Sequence, residues 1–200
     1  MPTITLSTGS LYTYGISRVF ELAAEAGFEA IEILVDHRWD SRQPEYLRRL
    51  SRESGLPIIA VHSPFLPSVP GWPSDPHERL TKSAALAREL GVGVVVTHLP
   101  LRFHGVGIEF FGFSKRPMIL PIPLPVSGDY GRFLLNGLAR FENEEGVRIG
   151  VENMPAKRIL GRRVDIYSLN TLDALASLQH LTLDITHLGT WQLDPVEVYE

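Results

Sequence analysis

Apolar and polar positions follow one repeated order along this chain: an amphipathic helical stretch, a glycine, a short apolar run, then a polar loop. Ile16, Val19, Phe20 and Ala23 recur at helical spacing before Gly27 and the run Ala30-Ile31-Glu32-Ile33-Leu34-Val35. A second helix is predicted from Pro44 to Ser54, closed by Gly55 and followed by a strand over Ile58 to His62. Asp75-Pro76 with Glu78 reads as an N-cap, a first helical position and a reciprocal capping residue, so a third helix opens there. It ends at Leu90-Gly91 and leads into Val92 to His98. A fourth helix is expected over Tyr130 to Glu145, then Gly146 and a strand from Val147 to Asn153. A shorter fifth helix around Thr171 to Ser177 feeds a strand over Leu181 to Thr186, and a first strand lies near Thr3 to Ser7. Glycine just past a helix supplies the left-handed residue that stops it. Strands alternating with helices predict an α/β fold with a parallel sheet.

Asp194-Pro195-Val196-Glu197 repeats the helix-start signal, and the chain stops at Glu200. One turn cannot bury an amphipathic face. The expected architecture is therefore of the (β/α) TIM-barrel type with about six of eight βα units present, apparently truncated at the C-terminus, since eight units need about 250 residues. Residues 1–200 then form one partial barrel domain. A six-stranded doubly wound sheet is the competing fold, although Ser7-Thr8-Gly9-Ser10-Leu11-Tyr12 lacks a glycine-rich phosphate fingerprint. Residues 100–128 interrupt the rhythm with a long insertion rich in proline and in apolar residues such as Phe110, Phe111, Phe113 and Met118. Long loops in compact domains are usually functional or disordered, and this one is too apolar for disorder. A lid, a flap over the barrel mouth and a homo-oligomer interface are the open readings. Pro155 to Leu169 is a shorter, basic loop.

A buried parallel strand is apolar almost throughout, so a polar residue at its end is expensive unless something pairs with it. Glu32, His62, His98, Glu152 and Asp184 stand one to a strand. On one parallel sheet they would share one space, the geometry of a metal or acid–base site. Glu152 is the strongest candidate: it shares a face with Gly150, and a glycine one layer below leaves room for a ligand or metal. Asp184 and His187, three apart at a strand exit, can both reach a divalent ion or a substrate oxygen. His62 and His98 are paired by position. Glu32 sits in mid-strand and is given a supporting role, while Asp36 and His37 follow that strand and are expected to face the ligand.

Composition narrows the chemistry. Hydrophobic content of 44% and charged content of 21% place the chain among ordinary globular proteins. With no cysteine, any metal must use His, Asp and Glu. The net charge of −4 argues against general nucleic-acid binding. Sixteen of the 19 basic residues are arginine, the preferred partner of planar oxyanions. Arg38, Arg42, Arg102, Lys115, Arg116, Lys157, Arg158, Arg162 and Arg163 fall in loops after strands, where a phosphate or carboxylate would be held. No stretch reaches the roughly 18 apolar residues of a membrane span, so no membrane partner is expected. The first ten residues do not read as a signal peptide, and the expected location is cytoplasmic.

From Gly27-Phe28-Glu29-Ala30-Ile31-Glu32 through Val61-His62-Ser63-Pro64-Phe65, Val96-Thr97-His98 and Val151-Glu152-Asn153 to Leu183-Asp184-Ile185-Thr186-His187, the chain resembles the xylose-isomerase-like TIM-barrel superfamily. That group holds sugar and sugar-phosphate isomerases and epimerases together with endonuclease IV, the second AP endonuclease family. The resemblance implies that Glu152 and Asp184 are metal ligands, that Glu152 also acts as a base beside a carbonyl, and that His187 contacts substrate. In the endonuclease branch the residues matching His62, His98 and His187 also bind zinc. The implied catalytic residues are Glu152 and His187, and the metal set is Glu152, Asp184, His62 and His98. Arg158, Arg162 and His37 are expected to bind substrate, and the cofactor is a divalent metal (Mn, Mg, Co or Zn). A further His and a second Glu of the family pattern belong to strands seven and eight, past Glu200. The expected function is a metal-dependent isomerase or epimerase of a sugar or sugar phosphate. The alternatives are a zinc-dependent phosphodiesterase, the one reading that brings nucleic acid as a partner, and a catalytically incomplete barrel acting through a partner.

Overall fold

In the computed structural model of the chain, residues 2–65, 68–106, 122–125 and 128–199 are described. The elements run β1 (Thr5–Ser7), α1 (Ile16–Glu25), β2 (Ala30–Leu34), α2 (Pro44–Ser54), β3 (Ile58–His62), α3 (Pro76–Leu90) and β4 (Val94–His98). There follow β5 (Phe103–Val106), β6 (Ile122–Pro125), α4 (Asp129–Asn136), α5 (Leu138–Glu145), β7 (Arg148–Glu152), β8 (Lys157–Ile159) and β9 (Arg162–Val164). The last are α6 (Leu172–Ala176), β10 (Leu181–Thr182), α7 (Ile185–Trp191) and α8 (Pro195–Tyr199).

Six strands form one sheet in the order β1-β2-β3-β4-β7-β10, and every neighbouring pair is parallel. This is chain order without a reversal. A doubly wound sheet reverses its strand order at a switch point, so that competing fold is excluded, and the sheet is of the TIM-barrel type. The helix signals act as expected: Asp75 accepts from the Glu78 amide at 2.9 Å to open α3, and Gly55 and Gly91 close α2 and α3 in the left-handed conformation. No helix among the described residues is long and apolar enough to cross a membrane.

The chain divides into two compact units. The first comprises Met1–His98, Gly137–Glu152 and His180–Thr182 and holds the whole six-stranded sheet. Its core packs Ile16, Phe20 and Ala23 of α1 and Leu47 and Leu50 of α2 against Ile31 and Ile33 of β2. Each of these buried isoleucine, leucine and phenylalanine side chains contributes about 1.5–3 kcal/mol. Alternation along β2 sends Glu32, between the two isoleucines, to the opposite face.

The second unit comprises Leu99–Asn136, Asn153–Gln179 and Leu183–Glu200. It carries two antiparallel ribbons, β5–β6 and β8–β9. The β8–β9 turn places Leu160 and Gly161 at φ 48° and 78°, the two successive left-handed residues of a tight hairpin.

Four expectations need correction. The helix over Tyr130 to Glu145 is two helices, because Gly137 between them lowers helical preference and becomes the start of α5. The strand over Leu181 to Thr186 ends at Thr182, since the Asp184 side chain accepts from the His187 amide at 2.9 Å and opens a helix instead. The basic loop after β7 is largely the β8–β9 ribbon. Part of the 100–128 insertion is the β5–β6 ribbon. Its readings as lid, flap or interface fall chiefly on residues 107–121, 126 and 127, which lie outside the described residues, as do Lys115 and Arg116.

Candidate metal centre

His62 ends β3, His98 ends β4 and Glu152 ends β7. Sheet register sets His98 beside Glu152, and His62 beside Val96, two residues earlier on the same face of β4. Three donor atoms converge there. His62 Nε2 and His98 Nε2 lie 3.0 Å apart, and each lies 3.2 Å from Glu152 Oε2. Behind His62, the Nδ1–H donates to Glu32 Oε1 at 3.3 Å. The Glu152 side chain is only 7% exposed and that of His62 16%, so these charges interact with little screening by water.

Burial works against charge at His62, Glu152 and Glu32, and hydrogen bonds and neighbouring charges outweigh it. Burial lowers the His62 pKa, but bonds to Glu152 and Glu32 and their charges raise it to about 9. Burial raises the Glu152 pKa, yet bonds from His62 and His98 and their charges hold it well below the usual carboxylate range. Glu32 follows the same pattern, lowered on balance by His62 and by a hydrogen bond from Ser7. In the metal-free protein His62 is thus an imidazolium between two carboxylates.

The donor set suits a divalent cation. Bonds of about 2.0–2.2 Å at near-tetrahedral angles separate neighbouring donors by roughly 3.3 Å. The observed separations of 3.0, 3.2 and 3.2 Å come close to that spacing. With both imidazoles neutral, Glu32 and Glu152 give the group a charge of about −2, which matches a dication. Glu32 on the remote nitrogen of His62 is the carboxylate partner that ligating histidines usually have.

The second unit holds its own histidine–carboxylate group. The Asn153 side chain clamps the backbone of Asp184, accepting from its N–H at 2.6 Å and donating to its carbonyl at 3.1 Å. His187 Nδ1 donates to the Asn153 carbonyl at 2.7 Å, and its Nε2 lies 3.6 Å from Asp184 Oδ2. Asn153 is almost fully buried. The same unit bears an open cleft of about 430 Å³ whose lining includes Met154, Leu172, Leu188 and Trp191.

The predicted substrate contacts fall on different elements. His37 is exposed in the loop after β2. Arg158 and Arg162 stand exposed on β8 and β9. Several other arginines are already engaged by the protein. Arg38 Nε donates to Asp36 at 2.8 Å, and its other nitrogens reach the carbonyls of Thr8 and Tyr14 at 3.0 Å. Arg42 bonds the carbonyl of Pro70, Arg102 that of Tyr167, and Arg163 that of Trp191. Asp36, buried against Arg38, is likewise used structurally. The room inferred beside Gly150 is filled: a Cβ there would meet Thr182 Oγ1 at 2.3 Å, so the missing side chain accommodates the neighbouring strand. The sequence singles out neither Asn153 nor Ser7, and it gives Glu32 its supporting role without showing the bonds to Ser7 and His62. The pattern of one polar residue per strand marks Glu32 as unusual, but only the register names its partners.

The sequence matches the xylose isomerase-like TIM barrel family over residues 20–198. It is 26% identical over 215 residues to the uncharacterized protein ML2432 of Mycobacterium leprae (strain TN), covering 98% of this chain and 69% of that protein. Its structure resembles the probable 3-DHS dehydratase AsbF, involved in petrobactin synthesis, from Bacillus anthracis. That match has a TM-score of 0.60 and 17% identity and covers 99% of this chain and 68% of the other. It also resembles the 3-keto-D-glucoside 4-epimerase YcjR from E. coli, with a TM-score of 0.55 and 19% identity over 92% of this chain and 68% of that one. At these identities the two structures establish a common fold.

Proposed function

The chain belongs to the xylose isomerase-like TIM barrel family, and from that membership and the strand-end cluster we propose a divalent-metal-dependent isomerase or epimerase of a sugar or sugar phosphate. The carrying observation is the convergence of His62 Nε2, His98 Nε2 and Glu152 Oε2 within 3.2 Å of one another. A bound divalent ion (Mn, Mg, Co or Zn) supplies polarisation of a substrate carbonyl and the adjacent hydroxyl. His62 and His98 offer it neutral imidazole nitrogens. Glu152 is ionised at neutral pH, as a base must be, and its Oε1 is assigned the proton transfer at the carbon next to the carbonyl. Phe65 is exposed and edge-on to His98, with ring centroids 6.1 Å apart, and offers an apolar face to sugar C–H groups. From the family pattern, Asp184 is proposed as a ligand and His187 as a substrate contact, with Arg158, Arg162 and His37 reaching the substrate's anionic group. The fold shared with a 3-keto-D-glucoside 4-epimerase supports a carbonyl-bearing sugar by analogy.

The second reading is a zinc-dependent phosphodiesterase of the AP-endonuclease type. It is favoured by the two imidazoles meeting Glu152, since the resemblance links this histidine pair to the endonuclease branch. One pair of assays separates the two. Protein loaded with each of the four metals is incubated in D₂O with keto sugars and sugar phosphates, and separately with a duplex bearing an abasic site. Deuterium entering the sugar, and lost by about 10³-fold or more in Glu152→Gln, supports the isomerase. Strand cleavage without deuterium exchange supports the phosphodiesterase. Inertness in both assays with every metal sinks both readings for this chain.

A further inference from the structure

We infer that Glu32 is a positioning residue that acts through His62, deciding which imidazole nitrogen faces the cluster and thereby how tightly the cluster holds a divalent cation. This role rests on the metal-binding reading of His62, His98 and Glu152. Glu32 lies in the middle of β2, flanked by the fully buried Ile31 and Ile33. A carboxylate in such a place is costly unless partnered. Its partners come from the two adjoining strands. Ser7 pairs with Glu32 in register across β1–β2, and its hydroxyl donates to the carboxylate. The same Ser7 oxygen accepts from the Gly9 amide at 3.3 Å, which fixes the hydroxyl's direction. On the β3 side, Glu32 Oε1 receives His62 Nδ1–H at 3.3 Å.

The reach depends on an irregularity in the sheet. Pairing between β2 and β3 shifts from Ile31↔Ile58 to Glu32↔Ala60, which sets Glu32 two residues below His62 on one face. Once a cation displaces the Nε2 proton of the imidazolium, the proton held at Nδ1 leaves the lone pair on Nε2. Nε2 is the atom 3.2 Å from Glu152 Oε2 and 3.0 Å from His98 Nε2. Ser7, Glu32 and His62 thus form a hydrogen-bonded line across three neighbouring strands that ends at the cluster. Glu32 acts twice: it holds the ring in one tautomer, and it brings the charge of the group from about −1 to about −2.

The test is Co²⁺ binding by titration calorimetry and visible absorption in the wild type, Glu32→Gln, Glu32→Ala and Ser7→Ala. Affinity is expected to fall about 10-fold in Glu32→Gln, which keeps an acceptor but not the charge, and up to about 100-fold in Glu32→Ala. Ser7→Ala, which frees the carboxylate without removing it, is expected to lose a few-fold. The Glu32→Ala complex is also expected to change its visible band, because the His62 ring is no longer held. If Glu32→Ala does not fold, Glu32→Gln and Ser7→Ala carry the test. Wild-type affinity and spectrum in the folded Glu32 variants overturn the positioning role and leave the metal reading intact. A wild type that binds no Co²⁺ overturns the metal reading itself.

Discussion

The two histidine–carboxylate groups of this protein are built in opposite ways. Glu32, His62, His98 and Glu152 come from four different strands, and only sheet register brings them together. Asp184 and His187 are three residues apart in one helix start, tied by a cap and by a single neighbour, Asn153. The first group is therefore a property of the whole sheet, and charge moves within it: His62 takes up a proton and two carboxylates lose theirs. The second is a local hydrogen-bonded clamp. Perturbing the first should change ionic behaviour, and perturbing the second should change local stability.

The largest expected effect follows from the first group's ionisation. A cation and a proton compete for His62 Nε2, and His62 keeps its proton up to about pH 9. Divalent-metal affinity should therefore rise about tenfold per pH unit between 7 and 9, some 100-fold in all, and then level off. An unperturbed histidine would give a rise that ends near pH 7. Stability of the metal-free protein should move the other way. The folded pKa of His62 is raised, so its contribution is complete below about pH 6.5 and is lost as pH climbs through about 9. Glu152 and Glu32, both lowered, contribute above the usual carboxylate range and lose that contribution on acidification. Metal titrations and chemical denaturation at pH 6, 7, 8 and 9 check both slopes; affinity already flat above pH 7 would remove His62 from the site.

The second group answers to Asn153→Ala. That change deletes both clamps on Asp184 and leaves its half-buried N–H without the Asn153 acceptor, while Asp184 O still receives the Leu188 amide at 3.1 Å. A loss of about 2 kcal/mol in denaturation stability is expected, with faster hydrogen exchange at the Asp184 amide. His187 should keep its Nδ1 hydrogen bond, because that bond goes to the backbone of residue 153 and not to the side chain. A change below about 0.5 kcal/mol would show that the clamp carries no stability.

The same contrast explains what could be read without the structure. Local signals were legible: the caps at Asp75, Gly55 and Gly91 set α2 and α3 within the expected limits. A polar residue at each strand end was enough to bring out His62, His98 and Glu152. The end of the last strand was not legible, because the β-branched Ile185 and Thr186 imitate a strand while the Asp184 cap starts a helix. What stayed hidden were the partners fixed by register. Nothing in the order of residues shows that β2 slips against β3 at Glu32, so the Ser7–Glu32–His62 line could not be drawn from it. The arginines are a similar case: their number in the loops is visible in the sequence, but the carbonyls that Arg38, Arg42 and Arg102 bond are not.

Gly150 carries this lesson to its smallest test. Its position below Glu152 suggests space for a ligand, yet the space belongs to Thr182, whose Oγ1 a Cβ would meet at 2.3 Å. Thr182 can turn its hydroxyl away only by changing χ1, so Gly150→Ala should destabilise by about 1–2 kcal/mol. Part of that is offset by the stiffer unfolded chain of alanine, by roughly 0.4–1 kcal/mol. Thr182→Ala removes the clash, because the remaining Thr182 Cβ would stand 3.6 Å away, an ordinary contact. The double variant Gly150→Ala/Thr182→Ala should therefore be more stable than the sum of the single changes by about 1 kcal/mol. Additive losses, together with weakened Co²⁺ binding in Gly150→Ala that Thr182→Ala does not restore, would return the space to the ligand. Coupling to Thr182 would instead make Gly150 a packing residue of the β7–β10 pair, with Glu152 alone carrying the chemistry at that end of β7.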